Sequence, residues 1–384
     1  MYIERKMAET LCNVMGEYPV VTVSGPRQSG KTTLVKNCLS EFGYVNLEDP
    51  DSAEFARSDP KGFLRRYPAP VTIDEAQRVP ELMSSLQVAV DARRDVMGQY
   101  VLTGSHQSLL REKVSQSLAG RTAILDLLPL SLAEMGPVAD GMSADEIMYK
   151  GFMPEIYRHG VAPSRYYRNY LRTYVERDVR AMANIRDLAL FEKFLRLLAG
   201  RVGQLANLSQ LSVEVGVSST TLAGWLSILE ASYIVFRLTP YFGNFAKRLV
   251  KTAKFYFTDV GLAAHLLGIS SAEQLALNPL RGSLFENLAV MDAVKRFKNI
   301  DEDAQFHFLR TQTGFEIDLL IETAGRLRPA EIKSTATCRD SLASGLRRFA
   351  REEPAVERPT LVYDGEDYPE RQGVEWVNFR RFMR

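Results

Sequence analysis

The stretch GPRQSGKT, Gly25 to Thr32, places two glycines, a lysine and a hydroxyl residue at the spacing G-x-x-x-x-G-K-[ST]. Residues of these types at this spacing bind a phosphate chain. Glycines let the backbone approach an anion closely and point its N–H groups at it. A helix that follows turns its positive N-terminal end toward the same charge. The candidate nucleotide-binding residues are Gly25, Pro26, Arg27, Gln28, Ser29, Gly30, Lys31, Thr32 and Thr33. Lys31 can neutralise the β- and γ-phosphates of ATP, and Thr32 can place its hydroxyl on Mg²⁺.

Three further groups bear on the same chemistry. VTIDEAQ, Val71 to Gln77, is an apolar run that ends in two carboxylates. Asp74 is the candidate second ligand of Mg²⁺, and Glu75 the candidate catalytic residue that polarises the attacking water. YVLTGSH, Tyr100 to His106, ends another run in small polar residues. Thr103 or Ser105 there can hydrogen-bond a γ-phosphate or the water; a plain Thr-Gly-Ser turn is the alternative. Arg121 precedes the run TAILDLLPL. It stands where an arginine finger serving a neighbouring subunit would lie, or where an arginine would cap a helix C-terminus.

A second constellation lies near the other end of the chain. GSLFENL places Glu286 on a predicted helix, FEIDLLIE places Asp318 on a strand, and LRPAEIKS places Glu331 and Lys333 on the next. Alternate residues of a strand share a face, so Glu331 and Lys333 point the same way. Carboxylates converging with a lysine can hold a second Mg²⁺ and activate water for phosphodiester cleavage. The alternative is a charged edge strand that discourages aggregation.

The elements that must position these groups fall into three blocks. Up to about Met135, short β-branched runs alternate with helical patterns: PVVTVSG, YVNLE, PVTIDEA and YVLTGS are strands, and KTTLVKNCLSEF is a helix. Strands separated by helices predict a parallel sheet covered on both faces. Helical patterns then dominate, including YYRNYLRTYVERDV and FEKFLRLLAGRV. Strands return in QFHFLRT, FEIDLLIET, LRPAEIKST and TLVYDG. The expected fold is α/β, with domains at 1–135, 136–270 and 271–384.

The bulk properties exclude less than the motifs suggest. The chain has 384 residues, 46% of them hydrophobic, and a formal net charge of +1. Its length calls for two or three domains. The charge balance supplies no bulk attraction for nucleic acid or an anionic membrane. Cys12, Cys38 and Cys338 have no metal-ligand spacing, and a sparse, odd count suits a reducing compartment. With no leader pattern at the N-terminus and no run of the roughly 18 to 20 apolar residues needed to span a bilayer, the expectation is a cytoplasmic protein without membrane contact.

The order GPRQSGKTT, TIDEAQ, LTGS, SLAGR and LLPLSLAEM resembles the AAA+ ATPases. It is more similar still to AAA-family ATPases that carry a C-terminal domain of unknown function. That resemblance implies ATP and Mg²⁺ as ligands, and a homo-oligomer with ATP sites at subunit interfaces. GFMPEIY, Gly151 to Tyr157, resembles the Gly-Gly-x-Pro start of a lid, with Phe152 in place of the second glycine. Leu208 to Tyr241 resembles a winged helix-turn-helix, with its turn at Gly216 and a cap from Ser218 or Ser219. The helix STTLAGWLSILEA within it has no lysine or arginine, so a structural role is favoured over DNA reading. Arg165, Arg168, Arg172, Arg177 and Arg180 are interleaved with acids and read as a solvated face, with a nucleic-acid groove as the other reading. The last block resembles the PD-(D/E)xK restriction-endonuclease-like fold. In that resemblance Asp318 is the metal aspartate, Glu331 and Lys333 the (D/E)xK pair, and Glu286 the helix glutamate. DNA or another nucleic acid is the implied partner. An ATP-dependent switch or scaffold with a non-catalytic C-terminal module is the alternative.

Overall fold

The computed structural model describes residues 2–105, 117–173, 187–242 and 250–383. Residues 106–116, with His106 of YVLTGSH, and Arg177 and Arg180, lie outside the described residues. The chain divides into two compact units. The first comprises Met1–Leu130 with two short pieces from later in the chain, Ala231–Tyr233 and Lys298–Asp301.

Five parallel strands form the first unit's sheet: β1 (Val20–Ser24), β2 (Gly43–Asn46), β3 (Val71–Asp74), β4 (Tyr100–Gly104) and β5 (Thr122–Asp126), in the order β2-β3-β4-β1-β5. The strands form because their residues alternate between two cores. Val21, Val23, Val101 and Leu125 pack with Met7, Leu11 and Leu34 from helices α1 (Met7–Met15) and α2 (Lys31–Cys38). Val20, Ile73 and Leu102 pack on the other face with Phe63, Leu82 and Leu86. The helices there are α3 (Pro50–Ser58), α4 (Pro60–Arg66) and α5 (Leu82–Asp91). Two covered faces are what β-branched runs without polar alternation demand. In a parallel sheet all strands end on one edge, so the turns after β1, β3 and β4 share that edge. Because β4 lies between β1 and β3, the residues that end β4 stand between the phosphate loop and Asp74.

The second unit holds the helical stretch and an eight-stranded mixed sheet of order β12-β13-β11-β10-β9-β8-β6-β7. The helix-turn-helix is present. Helix Leu208–Val215 ends at Gly216 with φ 94°, a conformation glycine adopts freely. Ser218 Oγ then accepts from the Thr221 N–H at 3.0 Å and caps helix Ser219–Ala231. The expected wing is the antiparallel pair β6 (Val235–Pro240) and β7 (Lys254–Phe257). It does more than the sequence reading anticipated, because Thr239 and Pro240 of β6 also pair in parallel with His307 and Phe308. The strands of the wing thereby extend the C-terminal sheet.

That sheet continues through the antiparallel meander β8 (Gln305–Arg310), β9 (Glu316–Thr323) and β10 (Arg326–Lys333). Helix Ser344–Glu352 crosses over to β11 (Thr360–Tyr363), which is parallel to β10. Beyond it lie β12 (Tyr368–Arg371) and β13 (Val374–Asn378). Leu309, Ile317, Leu320, Leu346, Phe349 and Trp376 are among the core residues of this region. No described helix is long and apolar enough to cross a membrane.

The GFMPEIY segment is anchored by a buried carboxylate. Asp259 Oδ2 accepts from the Phe152 N–H at 2.7 Å, and its Oδ1 accepts from the Tyr167 hydroxyl at 2.6 Å. Gly151 has φ 69°, and a Cβ there would lie 2.1 Å from the Tyr167 hydroxyl and 2.4 Å from Asp259 Oδ1. Gly151→Ala is therefore expected to destabilise the second unit by about 3 kcal/mol, from the clash and the left-handed backbone together. Chemical denaturation checks this; a loss below roughly 1 kcal/mol contradicts the packing described.

Candidate functional site

The loop after β1 has the backbone that phosphate binding requires. Gly25, Gln28 and Gly30 all have positive φ, at 153°, 62° and 96°. Gly25 admits no side chain, since a Cβ would lie 2.1 Å from the Leu127 carbonyl oxygen. Lys31 is buried at the start of α2 and donates to the carbonyls of Gly25 at 2.9 Å and Pro26 at 2.8 Å. Burial pushes its pKa down to about 8, and the charges of Glu75 and Asp74 pull back only in part. Ser29 Oγ is buried with no hydrogen-bond partner. An ammonium held by two neutral carbonyls and an unsatisfied hydroxyl beside it both suit an incoming polyphosphate.

Asp74 gathers three hydroxyl groups. Its Oδ2 accepts from Thr32 at 2.8 Å and Tyr44 at 2.7 Å, and its Oδ1 from Thr103. Burial, and then the bond to Asp74 with its charge, push the Tyr44 pKa well up, so this phenol keeps its proton. Thr32 and Asp74 thus set two hard oxygens side by side, the donor type that Mg²⁺ prefers. Glu75 turns into the left-handed region at φ 55° as β3 ends. Such a conformation costs about 1–3 kcal/mol in a non-glycine residue and persists where the surroundings hold it. Three groups hold it here. The Glu75 N–H donates to Thr103 Oγ1 at 3.1 Å, and its carboxylate accepts from Ser105 Oγ at 3.1 Å and from Gln77 Nε2.

Thr103 and Ser105 therefore both sit at the carboxylate pair. Arg27 lies 3.8 Å from Glu48. Arg121 is elsewhere: it precedes β5, at the edge of the sheet opposite the loop. There its guanidinium grips both oxygens of Asp91, at 2.6 and 2.9 Å. Tyr44 and Gln77 were missed as site residues, although Gln77 stands in the quoted TIDEAQ. Arg5 was missed as well: it is 4% exposed and donates to Ser29 O at 2.6 Å and Leu128 O at 2.7 Å, fixing the loop from behind. Tyr233 comes from far along the chain, and its hydroxyl donates to Asp126 Oδ1 at 2.6 Å, with Ser24 Oγ 2.8 Å away. No local pattern announces either residue.

In the second unit, the four sequence-identified residues come together. Asp318 on β9 accepts from the Ile332 N–H at 2.8 Å and from Lys333 at 3.1 Å. Lys333 also pairs with Glu331 at 2.6 Å, leaving Glu331 Oε2 buried without a hydrogen-bond partner. Glu286, on helix Arg281–Asn299, accepts from Lys254 at 2.9 Å and from the Tyr256 hydroxyl at 2.5 Å. Lys254 bridges to Glu316 at 2.7 Å, and Arg310 holds the other oxygen of Glu316 at 3.0 Å. Burial and the nearby charge of Asp318 push both Glu286 and Glu331 up to about 7. Burial acts against the charge on Lys254, but Glu286, Asp318 and Glu316 outweigh it and the net shift is upward. Four carboxylates thus share three cations, and with Glu286 and Glu331 raised to about 7 a proton makes up part of the deficit near neutral pH. The carboxylate oxygens are of the donor type a divalent cation prefers. As placed, however, the lysines occupy these oxygens. No group of three or more His, Cys, Asp or Glu side chains among the described residues is arranged to hold a metal.

Residues 17–136 match the family described as AAA domain, residues 142–273 a domain of unknown function (DUF8612), and residues 281–382 a domain of unknown function (DUF4143). An uncharacterized protein of Mycobacterium tuberculosis is 32% identical over 371 residues, covering 95% of this chain and 81% of its own. An uncharacterized protein of Mycobacterium bovis matches to the same extent. The chain belongs to their family. It is an AAA-type P-loop ATPase with a mixed α/β C-terminal region. Among solved structures, the Walker-type ATPase of Pyrococcus abyssi is similar to 69% of this chain over 96% of its own, with 16% identity and a TM-score of 0.45.

The buried lysine gives this ATPase a measurable proton linkage. Phosphates placed beside Lys31 would add negative charge and raise its pKa from about 8. At pH 9, where Lys31 alone is largely deprotonated, ATP binding is then expected to be accompanied by proton uptake. Titration calorimetry in buffers of different ionisation enthalpy reads this uptake. An enthalpy independent of buffer at pH 9 contradicts the assignment.

Proposed function

We propose that this ATPase uses Mg²⁺-dependent hydrolysis to act on nucleic acid, which it processes at the acidic–lysine cluster of its C-terminal region. The convergence of Glu286, Asp318, Glu331 and Lys333 carries this reading. Glu286 sits on a helix, Asp318 on β9, and Glu331 and Lys333 on β10, within an antiparallel three-strand meander that a crossover helix and the parallel strand β11 follow. This supports the resemblance to the PD-(D/E)xK fold.

At the P-loop, Lys31 neutralises phosphate charge, Thr32 and Asp74 hold Mg²⁺, and Glu75 orients water, with Thr103 and Ser105 fixing its position. The metal supplies charge stabilisation to the transferring phosphoryl group. Arg121 serves the site of a neighbouring copy in a homo-oligomer once its pair with Asp91 opens. In the C-terminal region, Glu286, Asp318 and Glu331 would hold a second Mg²⁺, which would supply charge to acidify a water, and Lys333 would face the phosphate.

One observation favours a second reading. Lys254 and Lys333 already satisfy most of the cluster's oxygens. A site so paired also suits a non-catalytic module that binds a partner under control of the ATPase.

The full chain, incubated with ATP and Mg²⁺ and with single- and double-stranded DNA and RNA, separates the two. Cleavage by the wild type, lost in Glu331→Ala while ATP turnover persists, is the expected result. Failure to cut any of the four substrates decides for the non-catalytic module. Lys31→Ala is expected to abolish ATP hydrolysis; turnover near that of the wild type would falsify the P-loop roles.

A further inference from the structure

Lys254 belongs to no motif singled out in the sequence, yet its side chain is 2% exposed and lies between Glu286 and Glu316, at 2.9 and 2.7 Å. It comes from the stretch matching DUF8612, whereas the carboxylates it pairs with come from the stretch matching DUF4143. The strand that carries it is locked in place. Asn287, next to Glu286, accepts from the Phe257 N–H at 2.7 Å and donates to the Phe257 carbonyl at 2.9 Å, as a neighbouring strand would. Two residues along β7 from Lys254, on the same face, Tyr256 donates its hydroxyl to Glu286. The strand thus delivers an ammonium and a phenol to one carboxylate.

We propose that Lys254 is a member of the C-terminal site and competes with a divalent cation for Glu286. The inference rests on the reading that Glu286, Asp318 and Glu331 hold such a cation. A buried ammonium between two half-buried carboxylates is retained, because little water reaches the nitrogen they share. A metal that uses Asp318 and the Glu331 Oε2 meets Lys333, which bridges those two residues, and it gains Glu286 only when Lys254 withdraws. A phosphodiester arriving at the site offers Lys254 another anion. Substrate and metal therefore favour each other's binding, and the cluster holds metal weakly without substrate.

Mn²⁺ binding to the nucleotide-free full chain tests this, read by the electron paramagnetic resonance signal of free Mn²⁺. Every protein carries Asp74→Asn, which removes the P-loop carboxylate from the measurement. Adding Lys254→Gln is expected to tighten Mn²⁺ binding about tenfold, and adding Glu331→Gln to that variant to abolish the gain. Glu286→Gln with Lys254 intact is expected to leave the affinity unchanged within about twofold. This arm stands even if the Lys254 variant fails to fold, as circular dichroism will show. Equal affinity with and without Lys254, both lost with Glu331→Gln, overturns the competition and leaves the metal reading intact. So does a tenfold loss in Glu286→Gln alone. Mn²⁺ binding insensitive to Glu331→Gln in every variant overturns the metal reading and the competition with it.

Discussion

A lysine buried away from water must find negative partners or give up its proton. Two lysines of this protein meet that demand in opposite ways. Among the described residues Lys31 hydrogen-bonds the carbonyls of Gly25 and Pro26, and its pKa falls to about 8. The loop around it follows from this: positive φ at Gly25, Gln28 and Gly30, and Arg5 pulling on Ser29 O from behind. Lys254 has two carboxylates in direct contact and is held in its charged form. The first lysine is short of negative charge and suited to an anionic ligand; the second is nearly satisfied and resists exchange. The same physical rule thus makes one site receptive and the other guarded.

The parallel sheet explains why Asp74 and Glu75 need β4. β4 separates β3 from β1; Asp74 reaches Thr32 directly, but its other oxygen and Glu75 are held by the residues that end β4. These are Thr103, Gly104 and Ser105, and both hydroxyls bond to the carboxylate pair. Thr103 donates to Asp74 while accepting from the Glu75 N–H, so a single oxygen fixes the spacing between a metal-ligand candidate and a water-orienting candidate. Glu75 keeps a conformation that costs a non-glycine residue free energy, and the hydroxyls and Gln77 are what hold it there.

Much of this was legible in the sequence because it is local. Gly25 to Thr33, the run ending in Asp74 and Glu75, and the strands carrying Asp318, Glu331 and Lys333 each declare themselves within a few residues. The strand runs PVVTVSG, PVTIDEA and FEIDLLIET fold as their β-branched content demands. What could not be read is what depends on distant pairing. Arg5 meets Leu128, Tyr233 meets Asp126, and Lys254 meets Glu286 and Glu316, all across loops whose closure leaves no mark on the sequence. Arg121 shows the reverse. Its position suggested an encounter with a neighbour's nucleotide, and the structure gives it a bidentate partner in Asp91 of its own chain.

The pairing of β6 with β8 bears on how the C-terminal region can be regarded. From the sequence it reads as a separate domain following a helical one. In the structure β6 and β7 continue its sheet, and β7 supplies Lys254 and Tyr256 to its cluster. Severed before Arg281, the remainder would expose the edge of β8, an invitation to unwanted strand pairing. It would also strip the half-buried Glu286 and Glu316 of their shared ammonium, leaving Glu316 with Arg310 alone. Whatever the cluster binds, its chemistry therefore cannot be assigned to residues 281–382 alone. The helix-turn-helix that leads into β6 is joined through that strand to the sheet that carries the site. In that strand Leu238 is the cross-strand partner of Lys254 on β7, so the helix-turn-helix is followed directly by the strand against which this lysine is set.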